Sequence, residues 1–252
     1  MSIIHVNHIQ SNCRKRFTNL IDMTDVKTEN PEERDNFFLS RALAAFSIAA
    51  LAKVDDAAAA ESVVDETHDD GIDGFYFDRV EHVGYLVQSK WVKNGVNTVD
   101  LGSVLKFIKG VHDFLSGVTS LLGKKMQAKQ QDISELLDDS QATFVLVVAY
   151  TGKQSLATEV REPIDQALSE LNDDGEFVSF RELKQKELHD VVAQTALGDD
   201  VNIEVMLHEW GKYENPYKVY YGQVAVSDIT GWGKYGDHLY HKTYGDLRAA
   251  QM

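Results

Sequence analysis

One continuous apolar segment, TFVLVVAY at residues 143–150, constrains the fold more than any other stretch of the chain. It has the length of a strand rather than a helix, and it lacks the alternation of apolar and polar residues seen in a strand with one wet face. A strand of this kind is covered on both faces, as happens in a sheet with helices on either side.

Helix and strand patterns alternate around this segment. Asn30 and Pro31 predict the start of a long helix, because a cap residue is followed by a first-turn proline and by carboxylates. Further helices are expected at 100–122, 159–171 and 181–196, and strands at 72–77, 84–92, 177–180, 201–210 and 218–226. This order predicts an α/β protein with a mixed β-sheet flanked by helices.

The chain length of 252 residues fits one main domain. We expect a single domain over 1–252, with 1–30 as an N-terminal extension and about 200–252 as C-terminal strands and a helix. The apolar run 42–52 is too short to cross a bilayer and predicts a buried core helix, so no membrane partner is expected. Cys13 is the only cysteine, which excludes a disulfide within the chain and suits a cytoplasmic location.

Charge is distributed unevenly along the chain. The net charge of −15 argues against broad electrostatic affinity for nucleic acid or anionic lipid. Residues 55–78 contain nine acids and no lysine or arginine, whereas residues 84–129 contain seven lysines and two acids. This juxtaposition would suit a metal site facing a phosphate substrate, and it would equally suit a solvated loop beside a solvated helix face.

The segment DDGIDGFYFDRVEHVGYLVQSKW, residues 69–91, predicts a hairpin whose second strand carries unusual polar residues. Gln88 and Lys90 share one face of that strand, with Cα atoms roughly 6.5 Å apart. Asp73 begins the preceding strand, so pairing of the two strands would bring its carboxylate near them. An exposed strand face and a functional site are both compatible with this spacing.

These residue types suit the hydrolysis of a phosphodiester. The carboxylate of Asp73, the amide oxygen of Gln88 and the backbone carbonyl of Ser89 are hard oxygen donors, as Mg²⁺ or Mn²⁺ prefers. Lys90 could orient the attacking water or neutralise charge developing on the phosphate. The residues would therefore suit a metal-dependent phosphodiester hydrolase.

DDGIDGFYFD followed by LVQSKW resembles the nuclease motif of the restriction-endonuclease-like PD-(D/E)xK superfamily, in its QxK variant. The closest resemblance is to the amino-terminal domain of the abortive infection phage resistance (AIPR) proteins, and it extends loosely to YYGQVAVSDITGW near the end. Members of that family continue into a larger carboxy-terminal domain. We expect this chain to be either the nuclease-like portion alone or a shortened relative.

The resemblance implies a restriction-endonuclease-like fold and assigns roles to individual residues. Asp73 would be the metal-binding aspartate, Gln88 the second residue near the metal and Lys90 the catalytic lysine. The superfamily often adds a glutamate from the preceding helix, for which Glu61 is the candidate and Asp65 the rival. Because Gln88 is neutral, it would bind Mg²⁺ more weakly than a glutamate, so activity would depend more on Glu61 or Asp70.

The function expected from these residues and this resemblance is Mg²⁺-dependent cleavage of DNA in anti-phage defence, with RNA as a chemically similar substrate. The defence role comes from the resemblance alone. Lys106 and Lys109 could contact phosphates, or they could form a solvated helix face. One site per chain is compatible with a homodimer that cuts both strands, or with help from a carboxy-terminal domain or partner protein. The alternative is an inactive nuclease-fold module that binds nucleic acid or a protein.

Overall fold

The computed structural model describes residues 3–66, 70–118, 120, 122–197, 205–215 and 218–230. The contacts within the chain divide it into two compact units, Met1–Val192 and Ala193–Met252. The sequence pattern predicts one domain over the same residues. The expected strand at 201–210 and the expected terminal helix lie partly outside the described residues.

The first unit contains the expected helices and strands in the expected order, and it adds helices at 3–17, 124–127 and 130–138 that the sequence pattern does not predict. Residues 181–183, expected to begin a helix, instead end a strand. The elements of the first unit are α1 (Ile3–Phe17), α2 (Pro31–Ala52), α3 (Asp56–Glu61), β1 (Gly74–Asp78), β2 (Val83–Lys90), α4 (Leu101–Leu115), α5 (Lys124–Gln127), α6 (Gln130–Asp138), β3 (Thr143–Tyr150), α7 (Thr158–Leu171) and β4 (Val178–Leu183). Helix α8 (Gln185–Leu197) follows, and the second unit contains β5 (His208–Tyr213), β6 (Val219–Gln223) and α9 (Val226–Thr230).

The first unit is built on a four-stranded mixed sheet with the order β1-β2-β3-β4. Strand β1 runs antiparallel to β2, while β2, β3 and β4 are parallel to one another. In this register Gln88 lies beside Val148 and Lys90 beside Tyr150. The sheet and its flanking helices confirm the predicted α/β class. Because β2, β3 and β4 are parallel, their carboxyl ends lie at the same end of the sheet.

Helices cover both faces of the sheet, so β3 is buried on two sides as its sequence predicts. On one face Val147 and Ala149 belong to an apolar cluster that includes residues of α1, α2 and α3. On the other face Leu146 and Val148 belong to a cluster with residues of α4, α6 and α7. The alternation along β3 sends successive side chains to opposite faces, and both faces are apolar.

Helix α2 is the central helix of the first unit, as expected for a core helix. Asn30 caps it by accepting from the N–H groups of Glu32 and Glu33, and Pro31 opens the first turn. By length and composition alone α2 could cross a membrane, but 56% of its most apolar window is buried inside the fold. Its packing against β1, β2 and β3 is typical of a soluble α/β protein.

Helix α1 lies within the segment that the sequence assigns to an extension. Its residues Val6, Ile9, Cys13 and Phe17 are all buried in the α2 cluster. They recur at helical spacing and therefore form one face. The N-terminal segment thus contributes to the core of the first unit.

The second unit contains an antiparallel hairpin of β5 and β6 with an irregularity between His208 and Gly211. Strand β6 lies within the predicted range 218–226. Strand β5 begins at His208 and runs beyond the predicted end at 210. Helix α9 begins at Val226, within the segment 200–252 where a terminal helix is expected.

Candidate active site

Asp73 lies immediately before β1 and is held by its backbone on two sides. Its N–H donates to the carbonyl of Val87 at 2.8 Å, and its own carbonyl accepts from the N–H groups of Val64 at 2.9 Å and Asp65 at 3.1 Å. Its side-chain Oδ2 accepts from the backbone N–H of Ser89 at 2.6 Å and from the Ser89 hydroxyl at 3.0 Å. The carboxylate therefore lies at the start of β1, against the end of β2.

The backbone carbonyl of Ser89 points from β2 towards β1, the direction in which the Asp73 carboxylate also lies. Val87 points its carbonyl towards Asp73, and residues two apart in a strand direct their backbone groups to the same side. The hydrogen bond from the Ser89 N–H to Asp73 agrees with this direction. Two of the three predicted oxygen donors therefore adjoin one another.

The side chain of Gln88 is buried, with 6% of its surface exposed, and only one end of its amide is paired. Nε2 donates to the carbonyl of Ser103, in the first turn of α4, at 2.9 Å. Oε1 is buried and has no hydrogen-bond partner among the described residues. A buried acceptor without a donor costs about 1–3 kcal/mol, a cost that a cation or a donor from outside the chain would offset.

Lys90 extends from the same face of β2 as Gln88 and is about half exposed, at 47%. Its Nζ donates to Oδ2 of Asp100 at 3.1 Å. Asp100 is the N-cap of α4, and it also accepts from the backbone N–H and the hydroxyl of Ser103. These two bonds and the nearby Lys90 ammonium hold the pKa of Asp100 well below its usual range.

Sequence reasoning identified Asp100 only as the start of a helix, and it did not identify Ser103. An aspartate before a run of apolar residues at helical spacing is the usual signal of a cap. That signal is local, and it does not reveal which strand the first turn of the helix will contact.

Glu61 and Asp65 take different positions relative to Asp73. Glu61 is the exposed last residue of α3, and it makes none of the contacts described for Asp73, Gln88 and Lys90. Asp65 touches the Asp73 carbonyl through its backbone N–H, while its carboxylate accepts from Nε of the buried Arg41 at 2.7 Å. Asp65 is therefore the acid that adjoins Asp73, and its carboxylate is engaged in an ion pair.

The turn that leads to Asp73 packs directly on α4, near the two lysines predicted to contact phosphate. A Cβ atom at Gly71 would lie 2.7 Å from the backbone nitrogen of Phe107, and one at Gly110 would collide with the carbonyl oxygen of Asp70. Lys106 and Lys109 are exposed on the same helix, and Lys109 pairs with Asp113 one turn later. The close contact fixes the helix beside the start of β1.

The candidate donors are of the chemical type that a hard cation keeping several waters prefers. Within the described ranges, no group of three or more His, Cys, Asp and Glu side chains is arranged to hold a metal ion. The oxygens at this site are instead one carboxylate, one amide oxygen and one backbone carbonyl. Mg²⁺ is commonly held by one or two carboxylates together with waters and substrate phosphates. The unpartnered Gln88 Oε1 is the feature that a bound cation would satisfy.

No protein-family model, curated protein or solved structure matches this chain. The chemistry of the site is therefore argued from its own geometry. The Asp73 carboxylate lies against the Ser89 backbone and hydroxyl at the end of β2, while Gln88 and Lys90 extend from the same end of β2 towards α4, where three parallel strands end. Ligands of open α/β sheets bind at such edges.

Proposed function

We propose that the protein is a magnesium-dependent nuclease of restriction-endonuclease-like fold that hydrolyses phosphodiester bonds of DNA. The observation that carries the proposal is the buried and unpartnered Oε1 of Gln88. It is one residue from Ser89, whose N–H binds the Asp73 carboxylate, and two residues from Lys90. A bound cation would give this neutral amide oxygen a partner.

Each residue has a separate task in this proposal. The Asp73 carboxylate, the Gln88 amide oxygen and the Ser89 carbonyl would hold Mg²⁺ or Mn²⁺. When bound, the ion would supply an activated water and offset the negative charge of the phosphate. Lys90, which is half exposed, would donate N–H groups to phosphate oxygens as negative charge develops there. Glu61 remains the proposed additional carboxylate, and Lys106 and Lys109 remain proposed phosphate contacts.

Two further observations support the proposal. The mixed sheet, with a helix before and after the β1–β2 hairpin, fits the superfamily that the QxK motif resembles. The free Cys13 is buried, which raises the pKa of its thiol to about 12 and suits a stable reduced state in the cytoplasm. A role in anti-phage defence, a homodimer and a partner protein belong to the proposal through the resemblance to AIPR proteins.

The test is cleavage of supercoiled plasmid, single-stranded DNA and RNA in Mg²⁺, Mn²⁺ or EDTA. Lys90→Ala should abolish a metal-dependent cleavage shown by the wild type. Lys93→Ala is the matched control, because it removes the same charge three residues after Lys90. The side chain of Lys93 is 83% exposed. Cleavage in EDTA, or equal loss of cleavage in both variants, would contradict the proposal. The substrate that is cut identifies DNA or RNA.

An inactive module that binds nucleic acid or a protein partner is the second candidate. It is favoured by the neutral Gln88 at the position where the related motif has an acid, and by the missing carboxylate cluster within the described residues. Mn²⁺ titration followed by electron paramagnetic resonance separates the two. Folded protein that neither cuts nor binds Mn²⁺, but shifts nucleic acid in a gel, would support the module.

A further inference from the structure

The first turn of α4 contacts both polar side chains on the α4 face of β2. The carbonyl of Ser103 accepts from Nε2 of Gln88 at 2.9 Å, and Oδ2 of Asp100 accepts from Nζ of Lys90 at 3.1 Å. Asp100 and Ser103 are themselves joined, because Oδ1 of Asp100 accepts from the Ser103 N–H at 2.9 Å and Oδ2 accepts from its hydroxyl at 2.8 Å. One helical turn thus contacts two neighbouring residues of the candidate site.

The chain on both sides of Asp100 is fixed in place. Val99, immediately before it, is 1% exposed and belongs to the apolar cluster on the α4 face. Earlier in the same loop, the backbone N–H and carbonyl of Val92 both bind the hydroxyl of Thr151, at 2.7 and 3.1 Å. Helix α4 follows directly after Asp100. The carboxylate is therefore presented from a rigid position.

Lys90 needs such a partner if its ammonium is to occupy a defined place. Its side chain is a flexible four-carbon stem and is half exposed, so an unpaired ammonium would sample many rotamers. The ammonium has three N–H donors, and the bond to Asp100 uses one of them. Two donors stay available for phosphate oxygens.

We propose that Asp100 is a positioning residue that holds the ammonium of Lys90 at the phosphate-binding place of the candidate site. This rests on the proposed nuclease function. Asp100 touches neither water nor phosphate in this role and acts through Lys90. It does so from the cap of α4, so the same side chain starts the helix and orders the lysine.

The experiment separates positioning from helix capping. Asp100→Ser keeps a good cap residue and removes the carboxylate, and Asp100→Asn keeps the cap and a neutral acceptor. Asp55→Ser is the matched control, because Asp55 caps α3 through the N–H of Ala58 and is not seen to contact Lys90. The order of the Lys90 ammonium is measured by ¹⁵N relaxation of lysine NH₃⁺ groups, with Lys90→Arg for assignment. The kcat and KM of cleavage are measured on the same proteins.

We expect the Lys90 ammonium to be ordered in the wild type and in Asp55→Ser, less ordered in Asp100→Asn and least ordered in Asp100→Ser. The kcat of Asp100→Ser should fall by about 10- to 100-fold with KM changed by less than about 3-fold, since misplacing a catalytic group acts on the chemical step. An ammonium that is equally ordered in wild type and Asp100→Ser would overturn the proposal, as would an unchanged or higher kcat. A wild type that does not cleave would refute the nuclease function, while the relaxation data would still decide whether Asp100 orders Lys90.

Discussion

The side-chain amide of Gln88 donates through Nε2 to the backbone carbonyl of Ser103, which leaves Oε1 as its free end. This one contact fixes the orientation of the amide, because an oxygen facing the Ser103 carbonyl would be repelled. The strand residue therefore offers an acceptor, rather than a donor, to whatever binds at the end of β2.

Replacement of Gln88 by glutamate tests whether that acceptor serves a metal. Gln88→Glu removes the donor to Ser103 and places a negative charge in a buried position, so the variant should lose about 1–3 kcal/mol of stability in EDTA. Mg²⁺ or Mn²⁺ should restore more stability to Gln88→Glu than to the wild type, because a carboxylate binds these ions better than an amide. Thermal unfolding with and without metal measures both effects. Gln88→Met is the control and should show no extra response, and equal metal responses in all three proteins would exclude Gln88 from a metal site.

Replacement of two glycines of α4 by alanine should change the stability of the protein in different ways. Gly110 lies against the carbonyl of Asp70, so Gly110→Ala forces the turn away from the helix and should cost about 1–3 kcal/mol. A Cβ at Gly102 meets only the Asp100 side chain, at 3.4 Å, so Gly102→Ala should be neutral or stabilising by up to about 1 kcal/mol. Chemical denaturation of the two variants measures the difference. Equal stabilities would show that the turn and the helix are not in close contact.

The buried guanidinium of Arg41 is expected to be essential for the stability of the first unit. It is 2% exposed, forms two bonds with Asp25 at 2.7 and 2.8 Å, and binds Asp65 at 2.7 Å. Arg41→Met removes the guanidinium from both carboxylates, although Asp25 keeps its pair with Lys125 at 3.3 Å, and should cost about 3–5 kcal/mol. The control is Arg14→Met. It removes the exposed ion pair between Arg14 and Asp35, which should contribute at most about 1 kcal/mol. Urea denaturation gives both values, and a small loss in Arg41→Met would contradict the expected role of the pair.

The contact between α1 and α8 should weaken in acid. Nδ1 of His8 lies 3.1 Å from Nε2 of His189, and the rings of His5 and His189 stack with centroids 4.0 Å apart. Burial, together with His5 and His8, lowers the pKa of His189. The unfolded chain therefore binds this proton more readily than the folded protein does, so stability should fall as the pH drops below the usual histidine pKa of about 6.5. The melting temperature at pH 7.5 and 5.5 tests this.

The matched variants for the pH experiment are His189→Gln and His208→Gln. His189→Gln should reduce the loss of melting temperature between the two pH values, because the group with the lowered pKa is gone. His208 is exposed in β5, so its replacement should leave the pH dependence as it is in the wild type. If His189→Gln retains the full pH dependence, other groups are responsible for it.

The sequence predicts those features that neighbouring residues control. Asn30 and Pro31 start α2 because a side-chain acceptor and a fixed φ act within one turn. The apolar run of β3 predicts burial on two faces, and the period of two in β2 predicts that Gln88 and Lys90 share a face. Their contacts confirm this, because both meet α4, whereas the hydroxyl of Ser89 bonds to the Ser40 carbonyl in α2.

Only the tertiary structure shows which distant residues meet at the site. The sequence by itself, together with the motif it resembles, determined the candidate set of Asp73, Gln88, Ser89, Lys90 and Glu61. The packing of α4 decided that Ser103 fixes the Gln88 amide and that Asp100 pairs with Lys90, and the β1–β2 pairing decided that Asp73 binds Ser89. The physical reason is that caps and periodicity act over a few residues. Contacts between a strand and a helix depend instead on how the whole sheet and its helices pack to bury their apolar faces.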